Sequence, residues 1–70
     1  MEELIEAYGW ERIETKNPHM TSFIKDDRRM NYYKTGTVTV QNTNLKYDKG
    51  KTYREIDTER KMEELLKELD

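Results

Sequence analysis

Apolar positions along this chain follow two different periods. From Arg29 to Gln41 the order Arg-Met-Asn-Tyr-Tyr-Lys-Thr-Gly-Thr-Val-Thr-Val-Gln alternates around a Thr-Gly, the pattern of a β-hairpin built from strand-favouring residues. A three-residue loop, Lys34-Thr35-Gly36, with Gly36 at positive φ after a type I turn, sets Tyr33 opposite Thr37. Met30, Tyr32, Val38 and Val40 then share one face, and Asn31, Tyr33, Thr37, Thr39 and Gln41 share the other. A two-residue loop would mix polar and apolar side chains on both faces, because a one-residue slip flips every side chain. The cleaner segregation predicts the three-residue loop, with the rest of the chain packed on or beside this hairpin.

Helical spacing governs the two ends. Glu2–Tyr8 places Leu4, Ile5 and Tyr8 on one side, its acids at the N-terminal end and Gly9 where a helix would stop. So short a helix does not hold alone, and Trp10 is placed to anchor it into a core. Met62, Leu65, Leu66 and Leu69 fall at i, i+3, i+4 and i+7 and predict a closing helix over Glu59–Leu69, capped by Asp57 or Thr58.

Between these elements the pattern is weaker. Glu11–Lys16 reads as a first strand with Ile13 on its inward face, and Asn17-Pro18 breaks it. His19–Lys25 reads as a second strand, in which Met20, Ser22 and Ile24 alternate against His19, Thr21, Phe23 and Lys25; neither set is cleanly apolar. Asp26-Asp27-Arg28 is a polar turn into the hairpin. After Gln41 the chain is polar as far as Thr52, with Leu45 and Tyr47 to tack it down and Asp48-Lys49-Gly50 as a turn, and Thr52–Ile56 adds a short edge strand. No repeat or second domain interrupts the sequence. Residues 1–70 are therefore expected to form a single α+β domain in the order α-β-β-β-β-α, both helices covering one face of an antiparallel sheet and leaving the other to solvent.

Composition adjusts this picture in two ways. Leu, Ile, Val and Phe make up only 12 of 70 residues, so the core is thin and a partner or a second copy of the chain would help to stabilise it. The net charge of −2 is unevenly spread: residues 1–11 sum to −4, residues 12–54 to +6 and residues 55–70 to −4. A basic middle between acidic ends is the strongest functional signal here. The sequence has no cysteine, which excludes disulfides and thiolate metal sites and suits a reducing compartment. It shows neither a secretion signal nor a membrane-spanning run, so a cytoplasmic location and no membrane partner are expected.

Three stretches offer chemistry. Lys25, Arg28, Arg29, Lys34, Lys46, Lys49, Lys51 and Arg54 are candidate cations for an RNA or DNA phosphate backbone, with Tyr33, joined by Phe23, as a stacking surface on the open sheet face. The competing reading is ordinary solvated charge. This nucleic-acid module requires the cations to gather into one continuous positive field. The stripe of the closing helix could meet a partner helix, but the sheet needs it as cover. His19, the sole histidine, is the one candidate general acid or base; it has no neighbouring carboxylate at metal-ligand spacing. Gly50-Lys51-Thr52 lacks the earlier glycine of a phosphate-binding loop, and Asp26-Asp27 beside Arg28 and Arg29 reads as charge balance. No metal or cofactor is expected.

Two resemblances bear on function. Leu4-Ile5-Glu6-Ala7-Tyr8-Gly9-Trp10, followed by Lys16-Asn17-Pro18-His19 and a Phe-containing strand, resembles the opening of the HicA toxins. That family joins a helix ending in Gly-Trp or Gly-Phe to a Gly-Ser-His at the start of its second strand, on a fold related to the double-stranded-RNA-binding domain. The likeness covers the first 25 residues or so and implies His19 as the histidine of an endoribonuclease, although Asn17-Pro18 stands where the family has Gly-Ser. The hairpin's Tyr-x-Thr-Gly-Thr-Val is similar to hairpins in small phage and mobile-element proteins, which implies an accessory or inhibitor protein acting by protein–protein binding. The residues themselves put a non-catalytic nucleic-acid-binding module first, the protein-binding accessory second and the His19 ribonuclease third.

Overall fold

A computed structural model describes residues 1–44 and 49–70. Helix α1 (Glu2–Ala7) leads into five strands, β1 (Glu11–Ile13), β2 (Met20–Lys25), β3 (Arg28–Tyr33), β4 (Val38–Asn42) and β5 (Lys51–Tyr53), and helix α2 (Glu59–Leu69) closes the chain. The strands pair antiparallel in sequence order, so the sheet is a simple meander. The architecture is α+β, as the pattern predicts, and the edge strand expected within Thr52–Ile56 is β5, centred a little earlier. The tacking residues Leu45 and Tyr47, the start of the Asp48-Lys49-Gly50 turn and the candidate cation Lys46 lie outside the described residues. Among the described residues no helix is long and apolar enough to cross a membrane.

The central hairpin has the predicted register. Met30 opposes Val40, Tyr32 opposes Val38, the Tyr33 amide donates to the Thr37 carbonyl at 2.9 Å, and the Gly36 amide closes the turn on the Tyr33 carbonyl at 3.0 Å. Gly36 has φ 90°, a conformation an L side chain enters only with strain. The neighbouring β2–β3 turn is tighter, with Lys25 directly opposite Arg28 and Asp26 at φ 55°, a left-handed conformation that aspartate tolerates better than most residues.

Opposed residues share a face of the sheet, which makes the layering explicit. Phe23, Met30, Val38 and Val40 point to the helices and pack with Ile5, Trp10, Met62, Leu65 and Leu66 as the core. Phe23 is 0 % exposed, so it is no part of the open face, where it was expected to join Tyr33. β1 departs from expectation too: it stops at Ile13, whose partner is Ser22, so Ile13 faces away from the helices while Arg12 faces towards them. The pairing with β2 sets this, since Arg12 stands opposite the core residue Phe23, and on that side it meets Glu2 at 3.0 Å and Glu6 at 2.9 Å.

Both helices end on cations supplied by the β2–β3 turn. Lys25 Nζ donates to the Tyr8 carbonyl and to Asp70 Oδ1, each at 2.8 Å, and Arg28 Nη1 donates to the Leu69 carbonyl. The guanidinium of Arg28 also lies 5.3 Å from the centroid of the Trp10 ring, within cation–π range. Terminal carbonyls of a helix lack intrahelical partners and carry the negative end of its dipole, so a cation there satisfies both needs. At its other end α2 is capped by Thr58, whose hydroxyl accepts from the Lys61 amide at 3.2 Å.

Candidate binding surface

The face of the sheet opposite the helices carries three cross-strand rows: Glu11–Ile24–Arg29–Gln41, then Ile13–Ser22–Asn31–Thr39–Thr52, then Met20–Tyr33. Its centre is a hydrogen-bonded cluster. Asn31 Oδ1 accepts from Ser22 Oγ at 2.8 Å and from Arg29 Nε at 3.2 Å, and Asn31 Nδ2 donates to Thr39 Oγ1 at 3.2 Å. Arg29 Nη2 donates to Ser22 Oγ at 3.3 Å and closes a three-membered ring of contacts. Ser22 is 0 % exposed, and its hydroxyl is satisfied as donor and acceptor, as a buried polar group must be. Around this cluster Ile13, Met20, Ile24 and Tyr33 stand half-buried, concentrated towards the β1–β2 side. The result is an ordered polar centre flanked by apolar side chains, with neither helix over it.

The sequence-predicted cations are not brought together. Lys25 and Arg28 lie on the helix side, committed to the ends of α1 and α2, so their assignment as free phosphate contacts is corrected to a capping role. Lys34 is exposed in the β3–β4 turn and Arg54 is exposed just beyond β5, at one end of the sheet, whereas Lys49 and Lys51 are exposed at the other. Only Arg29 joins Tyr33 on the open face. Acids interleave with these groups: Asp26 and Asp27 occupy the turn between Lys25 and Arg28, Glu55 follows Arg54, and Asp70 pairs with Lys25. Among the described residues, the single positive field required for a backbone-tracking surface is absent. The opposite charges on and before α2 form ordinary exposed i,i+4 pairs, Arg60–Glu64, Lys61–Asp57 and Lys67–Glu63, which solvent screens.

His19 is exposed in the turn before β2. Its backbone amide donates to Asn17 Oδ1 at 2.9 Å and its carbonyl accepts from the Lys34 amide at 3.0 Å. These bonds fix the turn and join it to the central hairpin, but among the described residues no carboxylate orients the imidazole. Nor do three His, Cys, Asp or Glu side chains gather anywhere among the described residues to hold a metal ion. The clear ionisation shifts lie elsewhere. Hydrogen bonding to Lys25 holds the Asp70 carboxyl below the usual carboxylate range, and hydrogen bonding to Lys61 does the same for Asp57. Burial, then the charges of Glu2 and Asp57, push the Tyr32 phenol up.

Ser22, Asn31 and Thr39 were not among the sequence candidates, and neither were Ile13, Met20 and Ile24. A signal for part of the cluster was present: Asn31 and Thr39 share the predicted hairpin face of Tyr33, and Arg29 has the same parity. No family model, no curated protein and no solved structure matches the chain. The likeness to the HicA toxins therefore stands on the short motifs alone.

Proposed function

We propose that this chain is a non-catalytic binding module, and that its partner is another protein engaged by the open face of the sheet. The observation that carries the reading is the surface itself. Ile13, Met20, Ile24 and Tyr33 leave apolar area outside the helix-covered core, around a polar centre whose internal hydrogen bonds hold it in place. Protein interfaces combine apolar anchors, tyrosine and arginine with satisfied polar groups in this way. Nucleic-acid backbones call instead for several clustered cations, and here the cations divide among both ends and both faces. An accessory or inhibitor protein acting in the cytoplasm fits a small chain without cysteine and with a thin core that a partner would reinforce.

The test is capture from a nuclease-treated extract of the cell of origin, with Ile24→Asp and Lys34→Glu variants in parallel. A protein retained by the parent and by Lys34→Glu, but lost with Ile24→Asp, is the expected result. An empty capture, or one indifferent to Ile24→Asp, refutes the reading. A mobility shift at low ionic strength separates the nucleic-acid alternative: retention of RNA or DNA that falls steeply with added salt would establish it instead. Cleavage of RNA that vanishes with His19→Ala would establish the ribonuclease.

A further inference from the structure

Arg29 is a half-buried arginine held by two side-chain hydrogen bonds and by no carboxylate among the described residues. A guanidinium carries five N–H donors. Nε is committed to Asn31 Oδ1 and one Nη2 donor to Ser22 Oγ, which leaves three for solvent or a ligand. The acceptors are themselves fixed, since Ser22 is buried and Asn31 is tied to Thr39 on the next strand. Among the described residues no ion pair neutralises Arg29. Glu11 is in the same cross-strand row but on the far side of Ile24, two strand spacings or about 10 Å away. Asp27, two residues before it, makes its side-chain contact with Asn44 instead. Ile24 and Gln41 are the cross-strand partners of Arg29 on either side.

We propose that Arg29 is a preorganised carboxylate anchor, which reads one Asp or Glu side chain of the protein bound to the open face. This rests on the binding reading above and names the chemistry the partner brings. A planar guanidinium fork matches a carboxylate through two parallel hydrogen bonds, and holding the fork in place beforehand removes the ordering cost that weakens most surface pairs. Charge complementarity favours a single acid: Arg29 is the one Lys or Arg of the five strands on this face among the described residues. Ile24, next to Arg29 in its cross-strand row, implies that the partner's acid is bordered by an apolar side chain.

The experiment is selection of a random peptide library displayed on phage against the full chain, followed by binding measurements on the enriched peptides. Enriched sequences are expected to carry an Asp or Glu beside apolar residues, and to shift the amide resonances of Ile24, Asn31 and Gln41. Changing that acid to its amide, or Arg29→Gln, should each weaken binding by about tenfold, and both together little more than either alone. Arg29→Lys should recover only part of the loss, because an ammonium has no fork. The peptide substitution leaves the protein untouched, so a misfolded variant cannot imitate the result. Peptides that dock on the open face without an acid, or that ignore Arg29→Gln, overturn the anchor and leave the docking surface standing. Peptides that land elsewhere, or no enrichment at all, overturn both. Binding of a single-stranded oligonucleotide that depends on Arg29 while acidic peptides fail overturns the carboxylate assignment in favour of phosphate.

Discussion

The polar cluster on the open face should behave as one unit, and a double-mutant cycle on Ser22 and Asn31 measures whether it does. Ser22→Ala removes the hydroxyl that donates to Asn31 and accepts from Arg29 but leaves Asn31 Oδ1 accepting from Arg29 Nε at 3.2 Å. Its cost is that of two net hydrogen bonds, about 1–2 kcal/mol. Asn31→Ala is worse. It deletes the acceptor of the Ser22 hydroxyl at 2.8 Å and the donor to Thr39 at 3.2 Å. With Ser22 0 % exposed, its hydroxyl is left buried and without an acceptor, a penalty of about 1–3 kcal/mol beyond the bonds lost. A total near 3 kcal/mol is a large share of the roughly 5 kcal/mol expected for a domain this small. Once Ser22 is alanine there is no hydroxyl to orphan, so the double variant should be about 1–2 kcal/mol less destabilised than the sum of the single ones. Urea unfolding followed by circular dichroism reads this directly, as midpoints shifted at constant slope. Additivity within about 0.5 kcal/mol would show that Ser22 finds water when Asn31 is shortened, and the account of a dry, mutually supporting cluster would be wrong.

Other outcomes follow from particular contacts. Phe23→Ala empties the centre of the core and should cost about 3–5 kcal/mol, most of the domain's stability, whereas Tyr33→Ala on the opposite face should cost far less in the same melt. Gly50 has φ 75°, and a Cβ there would sit 2.6 Å from the Val40 carbonyl oxygen, so Gly50→Ala should lower the melting temperature by well over ~5 °C; an unchanged melt would mean that this approach is not made in solution. The Asp70 carboxyl is held below its ordinary range by Lys25. A depressed folded-state value contributes stability above the unfolded-state pKa, which is lost as pH falls through the folded one. Stability should therefore decline below about pH 4, and Asp70→Asn should flatten part of that decline in urea titrations at neutral and acid pH.

Much of this fold is legible in the chain itself. The stripe Met62, Leu65, Leu66, Leu69 gives α2 its span, and the alternation around Lys34-Thr35-Gly36 gives the central register, because helical and strand periods are local and a turn of defined length permits one pairing. Parity in β2 and β1 was not legible. Phe23 and Ser22 are neighbours with equal claims in an ambiguous alternation, and Phe23 turns inward only because Met30, already committed by the hairpin, stands opposite it. Ile13 is the strongest apolar residue of its strand yet faces out, because the register of β1 on β2 sets it opposite Ser22 and sets Arg12 opposite Phe23.

For function, the chain alone determined the elements, the partition of the central hairpin into an apolar and a polar face, and the excess of cations between residues 12 and 54. Tertiary structure alone decided where those cations go. Lys25 and Arg28 meet the carbonyls that end the two helices, and Arg12 pairs with the glutamates of α1. Arg29 is held by Asn31 and Ser22, and Lys34 and Arg54 lie at the opposite end of the sheet from Lys49. Net charge along a sequence is a one-dimensional sum, while an electrostatic field depends on distances in three dimensions. The pleat of a strand sends adjacent residues such as Arg28 and Arg29 to opposite faces, and the fold brings the ends of two helices far apart in sequence to one turn.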